Sequence, residues 1–92
     1  MTNYARGRRS EYRTMRLLEG AGYRCVRSAG SHTEVDVIGI GATDFVLVQV
    51  KLNCRASAEE IEGLKLLRTP KNCKKLIHEW KSRARVPMVR QV

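Results

Sequence analysis

The chain has 92 residues, 42% of them hydrophobic, with a formal net charge of +9 and a pI near 10.1. That length makes one domain, residues 1–92, with one modest core, and the composition excludes a disordered chain. No apolar run is long enough to span a bilayer and no segment sets a long apolar face against a Lys/Arg face, so membrane partners are excluded and a cytoplasmic location is expected, the host-cell cytoplasm if the source is viral.

The charge is concentrated at the two ends. Residues 1–27 carry seven Arg against two Glu, and residues 71–92 carry seven Lys or Arg against one Glu. Residues 28–70 carry four bases against six acids. A basic shell around an acidic middle is the footprint of a polyphosphate binder. Cys25, Cys54 and Cys73 are widely spaced, and neither His32 nor His78 stands at zinc-site spacing from them, so free thiols are expected.

Residues 7–21 read as a helix closed by Gly22, with Met15, Leu18 and Gly22 on one face and Arg9, Arg13 and Arg16 opposite. Glu11 falls within the apolar stripe. Tyr23 to Arg27 has strand composition, and residues 28–33 form a polar loop. Glu34 to Ile40 alternates as a second strand, with Val35 and Val37 on one face and Asp36 and Ile38 on the other. A short turn then leads to Phe45–Lys51, FVLVQVK, expected as its antiparallel neighbour. Val46, Val48 and Val50 face one way there; Leu47, Gln49 and Lys51 face the other.

Ser57-Ala-Glu-Glu60 is a capping-box pattern, placing a second helix near Ala58 with Ile61, Leu64, Lys65 and Leu67–Arg68 as its stripe and Pro70 as its stop. Lys74 to Lys81 suits either a helix or a strand. A strand paired with the 86–92 tail is favoured, because the 82–85 turn gives a hairpin. The expected class is α/β, in the order α-β-β-β-α-β-β, with a central mixed sheet flanked by helices.

Four polar side chains stand where apolar ones are expected: Glu11, Asp36, Gln49 and Lys51. A buried polar group needs a partner. If they converge, two carboxylates and an amide oxygen make a hard-cation site of the Mg²⁺ type, with Lys51 beside it to neutralise developing charge. The simpler alternative is an Asp36–Lys51 cross-strand ion pair with Glu11 near a helix start.

Glu11, Val35-Asp36 and Gln49-Val50-Lys51, on helix, strand and strand, resemble the PD-(D/E)XK nuclease superfamily, which has the restriction-endonuclease-like fold. Arg6-Gly-Arg-Arg-Ser-Glu11, Val26-Arg-Ser-Ala-Gly-Ser-His32 and Val48-Gln-Val-Lys51 are similar to archaeal-type Holliday junction resolvases and their bacterial and phage relatives. The resemblance implies a homodimer that resolves four-way DNA junctions by paired nicks, using Mg²⁺, for which Mn²⁺ can substitute, and no small-molecule cofactor. It implies Glu11, Asp36 and Gln49 as metal ligands, Lys51 as the catalytic lysine, and a catalytic loop serine at Ser31 or Ser28, of which Ser31 is preferred. Two departures stand out: Val35 where the superfamily expects proline, and Gln49 where a carboxylate is usual. The amide keeps an oxygen ligand and loses a charge. Arg6, Arg8, Arg9, Arg13 and Arg16 are expected on backbone phosphates, with Arg27, Ser28, His32 and Arg55 as further contacts. The alternatives are a superfamily nuclease acting on linear or flapped DNA, and a non-catalytic basic DNA-binding module.

Overall fold

The computed structural model describes the backbone of residues 3–28 and 34–92 and the side chains of residues 8–28 and 34–92. The elements are α1 (Asn3–Gly20), β1 (Arg24–Arg27), β2 (Val37–Ile40), β3 (Phe45–Leu52), α2 (Ala58–Leu66), β4 (Cys73–Trp80) and β5 (Met88–Gln91). This is the expected order, in one five-stranded sheet whose strands lie side by side in chain order. β1, β2 and β3 are successively antiparallel, β3 and β4 are parallel, and β4 and β5 are antiparallel. The parallel pair needs a crossover, and α2 supplies it.

α1 ends at a glycine for a backbone reason. Gly22 has φ +98°, a left-handed conformation that favours a residue without Cβ. Its N–H donates to the Glu19 carbonyl at 3.0 Å, and the Tyr23 N–H donates to the Leu18 carbonyl at 3.0 Å. These two bonds are the Schellman closure, and Leu18 and Tyr23 pack into one cluster beneath it. The inward face differs from the expected one. Ser10, Thr14 and Leu18 are buried, Met15 is half-buried, and Gly22 is exposed. Helical polar residues can face a core when the sheet satisfies them. Thr14 Oγ1 accepts from Trp80 Nε1 at 2.8 Å and lies 3.1 Å from His78 Nδ1. Burial pushes the His78 imidazole down to about 4, so it is neutral at pH 7.

β3 separates two clusters. Val46 and Val48 join Leu18 and Val37 under α1, with Met15, Cys25, Val50 and Leu76 packed around them. Leu47 packs on the other face against Val35, Ala56, Leu64 and Ile77, with Ile38 and Ile61 alongside. The alternation of β3 therefore holds. That of the preceding segment does not: Val35 and Val37 lie in opposite clusters, where the sequence reading put them on one face. The backbone bends at Asp36, so the strand period restarts at Val37.

α2 begins at the expected cap. Ser57 Oγ accepts the Glu60 N–H at 3.1 Å, and Glu60 Oε1 accepts the Ser57 N–H at 2.8 Å. It ends earlier than Pro70 would require. Leu67 is already extended, and Lys75 Nζ donates to the carbonyls of Lys65 (2.8 Å) and Leu67 (2.6 Å). Only Ile61 and Leu64 of the predicted stripe turn inward; Lys65, Leu67 and Arg68 are exposed. Among the described residues no helix is long and apolar enough to cross a membrane.

Leu64 is fully buried and Leu66 is 71% exposed. Leu64→Ala is expected to cost about 3 kcal/mol of unfolding free energy in urea titrations, and Leu66→Ala less than about 0.5 kcal/mol. A reversed order would place α2 the wrong way round on the sheet.

Candidate functional site

The carboxyl end of β3 is where the polar side chains meet. Val37 pairs with Val48, and one residue earlier the Asp36 N–H donates to the Val48 carbonyl at 2.9 Å. The bend there turns the Asp36 side chain back on β3, and its Oδ2 accepts the Val50 N–H at 2.8 Å. That bond holds the carboxylate beside the strand segment that carries Gln49 and Lys51. Asp36 titrates near 6, well above an ordinary aspartate. Burial is the main cause, and the Glu11 and Glu60 charges add to it. The Val50 amide and the Lys51 charge oppose it.

Gln49 and Lys51 project to the α2 side, as the alternation requires. Gln49 is buried, with 6% of its surface exposed. Its Nε2 donates to Glu60 Oε2 at 3.2 Å, and Lys51 Nζ donates to the same oxygen at 2.7 Å. Lys51 is raised chiefly by that hydrogen bond. Glu60 is lowered first by Lys51 and then by the Ser57 backbone. The other end of the Gln49 amide differs: Oε1 is buried and has no hydrogen-bond partner among the described residues. A buried oxygen of that kind costs free energy unless something fills its lone pairs. Glu79, level with Lys51 on β4, does not take part. It is buried and accepts from the Ala56 N–H at 3.0 Å and from Arg90 at 3.4 Å.

Glu11 arrives from a different direction than expected. Convergence with Glu11 on the Gln49/Lys51 side needs α1 to pack there, but α1 covers the Val46/Val48 face and α2 covers the other. Glu11 pairs with Arg27 at 3.1 Å, and Arg27 lies 5.2 Å from the Tyr12 ring centre. Its charge is nevertheless felt at Asp36. The structure thus brings Asp36, Gln49 and Lys51 together, with Glu11 at the margin. Glu60 is the addition. In the sequence it is legible as a capping-box residue. The signal for more is an acid one helical turn into the element after a strand whose usual carboxylate is an amide.

Among the described residues no three His, Cys, Asp or Glu side chains form a metal cluster. The donor set here is one carboxylate plus an amide. Asp36 is tied to the β3 backbone on both sides of Gln49, and the Gln49 oxygen, without a partner among the described residues, is what a hard cation would satisfy, so the residues fit Mg²⁺.

The expected phosphate contacts separate into groups. Arg8, Arg9, Arg16 and Arg55 are exposed. Arg13 is turned inward: its guanidinium lies 4.3 Å from the Trp80 ring centre and donates to the Ala84 carbonyl at 3.1 Å and Ser10 Oγ at 3.2 Å. It braces α1 against β4, a placement that the helical projection, with Arg13 on a solvent face, did not foresee. Arg27 is held by Glu11. Ser28 is half-buried, and its N–H donates to the Asp36 carbonyl at 2.8 Å. Ser31, His32 and the Arg6 side chain lie outside the described residues.

No protein-family model and no curated relative matches the chain. A solved structure does: a Holliday junction resolvase, Hjc, from the archaeal hyperthermophile Archaeoglobus fulgidus, with a TM-score of 0.68 and 21% identity over 90% of this chain and 72% of that one. The fold is that of a junction resolvase. The likeness covers 90% of the chain, and the fold is of the expected α/β, restriction-endonuclease-like class.

The raised Asp36 pKa has a consequence for stability. An unfolded aspartate ionises near 3.8 and the folded one near 6, so the folded state binds the extra proton between those values. Stability therefore falls as pH rises through that window. In chelator-treated protein, Asp36→Asn removes this penalty. The variant is expected to be about 1–2 kcal/mol more stable than the parent at pH 8, with partial solvent screening reducing the full value, and to lose the advantage below pH 4. Thermal melts across pH test it; a destabilised variant at pH 8 would contradict the burial assigned to Asp36.

Proposed function

We propose that the chain is a structure-selective, Mg²⁺-dependent endonuclease that nicks four-way DNA junctions in pairs as a homodimer. The observation that supports this most is that Asp36, Lys51 and Gln49, whose oxygen has no partner among the described residues, lie together at the carboxyl end of β3. Ligand sites in α/β sheets favour the carboxyl ends of parallel strands. The fold shared with a junction resolvase supports the substrate class.

Asp36 and the Gln49 amide oxygen would hold Mg²⁺, with Glu11 close enough to add charge. When bound, the ion supplies Lewis-acid polarisation of a phosphate oxygen. The chain's own residues do the rest. The Lys51 ammonium stands at the same strand end, where it can neutralise charge developing on the scissile phosphate. Its hydrogen bond to Glu60 fixes that position. Asp36, held by Val50, keeps one oxygen in place. Exposed Arg8, Arg9 and Arg16 on α1 offer contacts to flanking phosphates, which position DNA without reading its sequence. Beyond β3, a cleft of about 450 Å³ is lined by Asn53, Cys54, Arg55, Glu79, Trp80, Lys81 and Met88, and Arg55 and Lys81 give it a basic edge. A homodimer presents two such sites about a two-fold axis, which suits symmetric cuts in a branched substrate.

The test is cleavage of a labelled four-way junction and of linear duplex of the same sequence, with and without Mg²⁺. Junction cutting that needs Mg²⁺ is expected, with duplex cut at least about tenfold more slowly. Asp36→Asn should abolish cutting and leave junction affinity within about twofold. Lys51→Ala should slow it by roughly 10²–10³. Equal cutting of both substrates would point to a linear-DNA nuclease. Salt-sensitive binding with no cutting in any divalent ion would point to a binding module.

A further inference from the structure

Gln49 is the position where this site departs from a carboxylate, and an amide brings a problem that a carboxylate does not have. Its two ends differ. One orientation turns the oxygen away from Glu60, and a half-turn about the last bond puts there an NH₂ that would repel a cation. Something has to choose. Glu60 is placed to do so. Its carboxylate can only accept hydrogen bonds, and its Oε2 lies 3.2 Å from Gln49 Nε2. The donor end is thereby drawn toward α2, and the acceptor end, Oε1, is left buried and without a partner among the described residues. The same Oε2 holds Lys51 Nζ at 2.7 Å, and the second oxygen is tied to the Ser57 backbone at 2.8 Å. Glu60 therefore has little freedom to turn.

We infer that Glu60 is a positioning residue: from the first turn of α2 it sets the orientation of the Gln49 amide, so that a neutral side chain presents oxygen to a divalent cation. This rests on the proposed nuclease reading and adds a residue to it. Glu60 touches neither the cation nor the substrate in this assignment. It acts through Gln49 and Lys51. The capping box gives it a second, separable role in starting α2.

The two roles predict different behaviour in a double-mutant comparison read by calorimetric titration with Mn²⁺ alone. Glu60→Gln in the parent lets either end of the Gln49 amide find a partner, so Mn²⁺ affinity is expected to fall roughly 10–100-fold. In a Gln49→Glu background position 49 has two like oxygens and no orientation to set, so the same Glu60→Gln change should alter affinity by less than about threefold. Ser57→Ala removes the cap hydroxyl and leaves the Ser57 backbone donor. It should lower the melting temperature without changing Mn²⁺ affinity. Equal losses in both backgrounds would mean that Glu60 acts through its charge or as a ligand, and would overturn the assignment. No loss in either background, while Asp36→Asn still abolishes Mn²⁺ binding, would overturn it and leave the nuclease reading standing. No saturable Mn²⁺ binding by the parent protein would overturn both.

Discussion

β3 has neighbours on both edges and cover on both faces, and this confinement governs the rest of the molecule. A strand so enclosed cannot leave polar side chains to water. Val46 and Val48 meet the α1 cluster, and Leu47 meets the α2 cluster. Gln49 and Lys51 continue the second face past the point where apolar cover ends. Their donors are taken up by one oxygen of Glu60, and Asp36 is tied to the strand backbone through Val50. The position of α2 is thus set twice, by Leu64 in the core and by Glu60 at the strand end.

The same enclosure explains the electrostatics. Asp36 is partly desolvated and has two acidic neighbours within reach of its charge, so it keeps its proton to an unusually high pH. Lys51 offsets only part of this, because its closest bond is to Glu60. An arrangement that leaves a carboxylate poorly stabilised and an amide oxygen unpaired is costly as structure. Such costs are commonly retained where a ligand relieves them.

Much of the architecture was legible without coordinates. The Gly22 stop, the Ser57 cap, the two-sided alternation of FVLVQVK and the start of the helix that follows it all depend on neighbours close in sequence, which is why local chemistry reveals them. Asp36, Gln49 and Lys51 could be singled out for a related reason: each violates the pattern of its own strand.

What the tertiary structure alone decided is which group answers each violation. Sequence spacing could not show that α1 and α2 take opposite faces, so it could not place Glu11 relative to Gln49 and Lys51, and it left Glu60 as a cap. Nor could it show Arg13 lying over Trp80, 67 positions away, instead of facing solvent. The bend at Asp36, which separates Val35 from Val37, was hidden as well, and with it the hydrogen bond from the Val50 N–H on β3 to the Asp36 carboxylate. Local patterns state what each side chain needs; only the packed chain determines which distant partner supplies it.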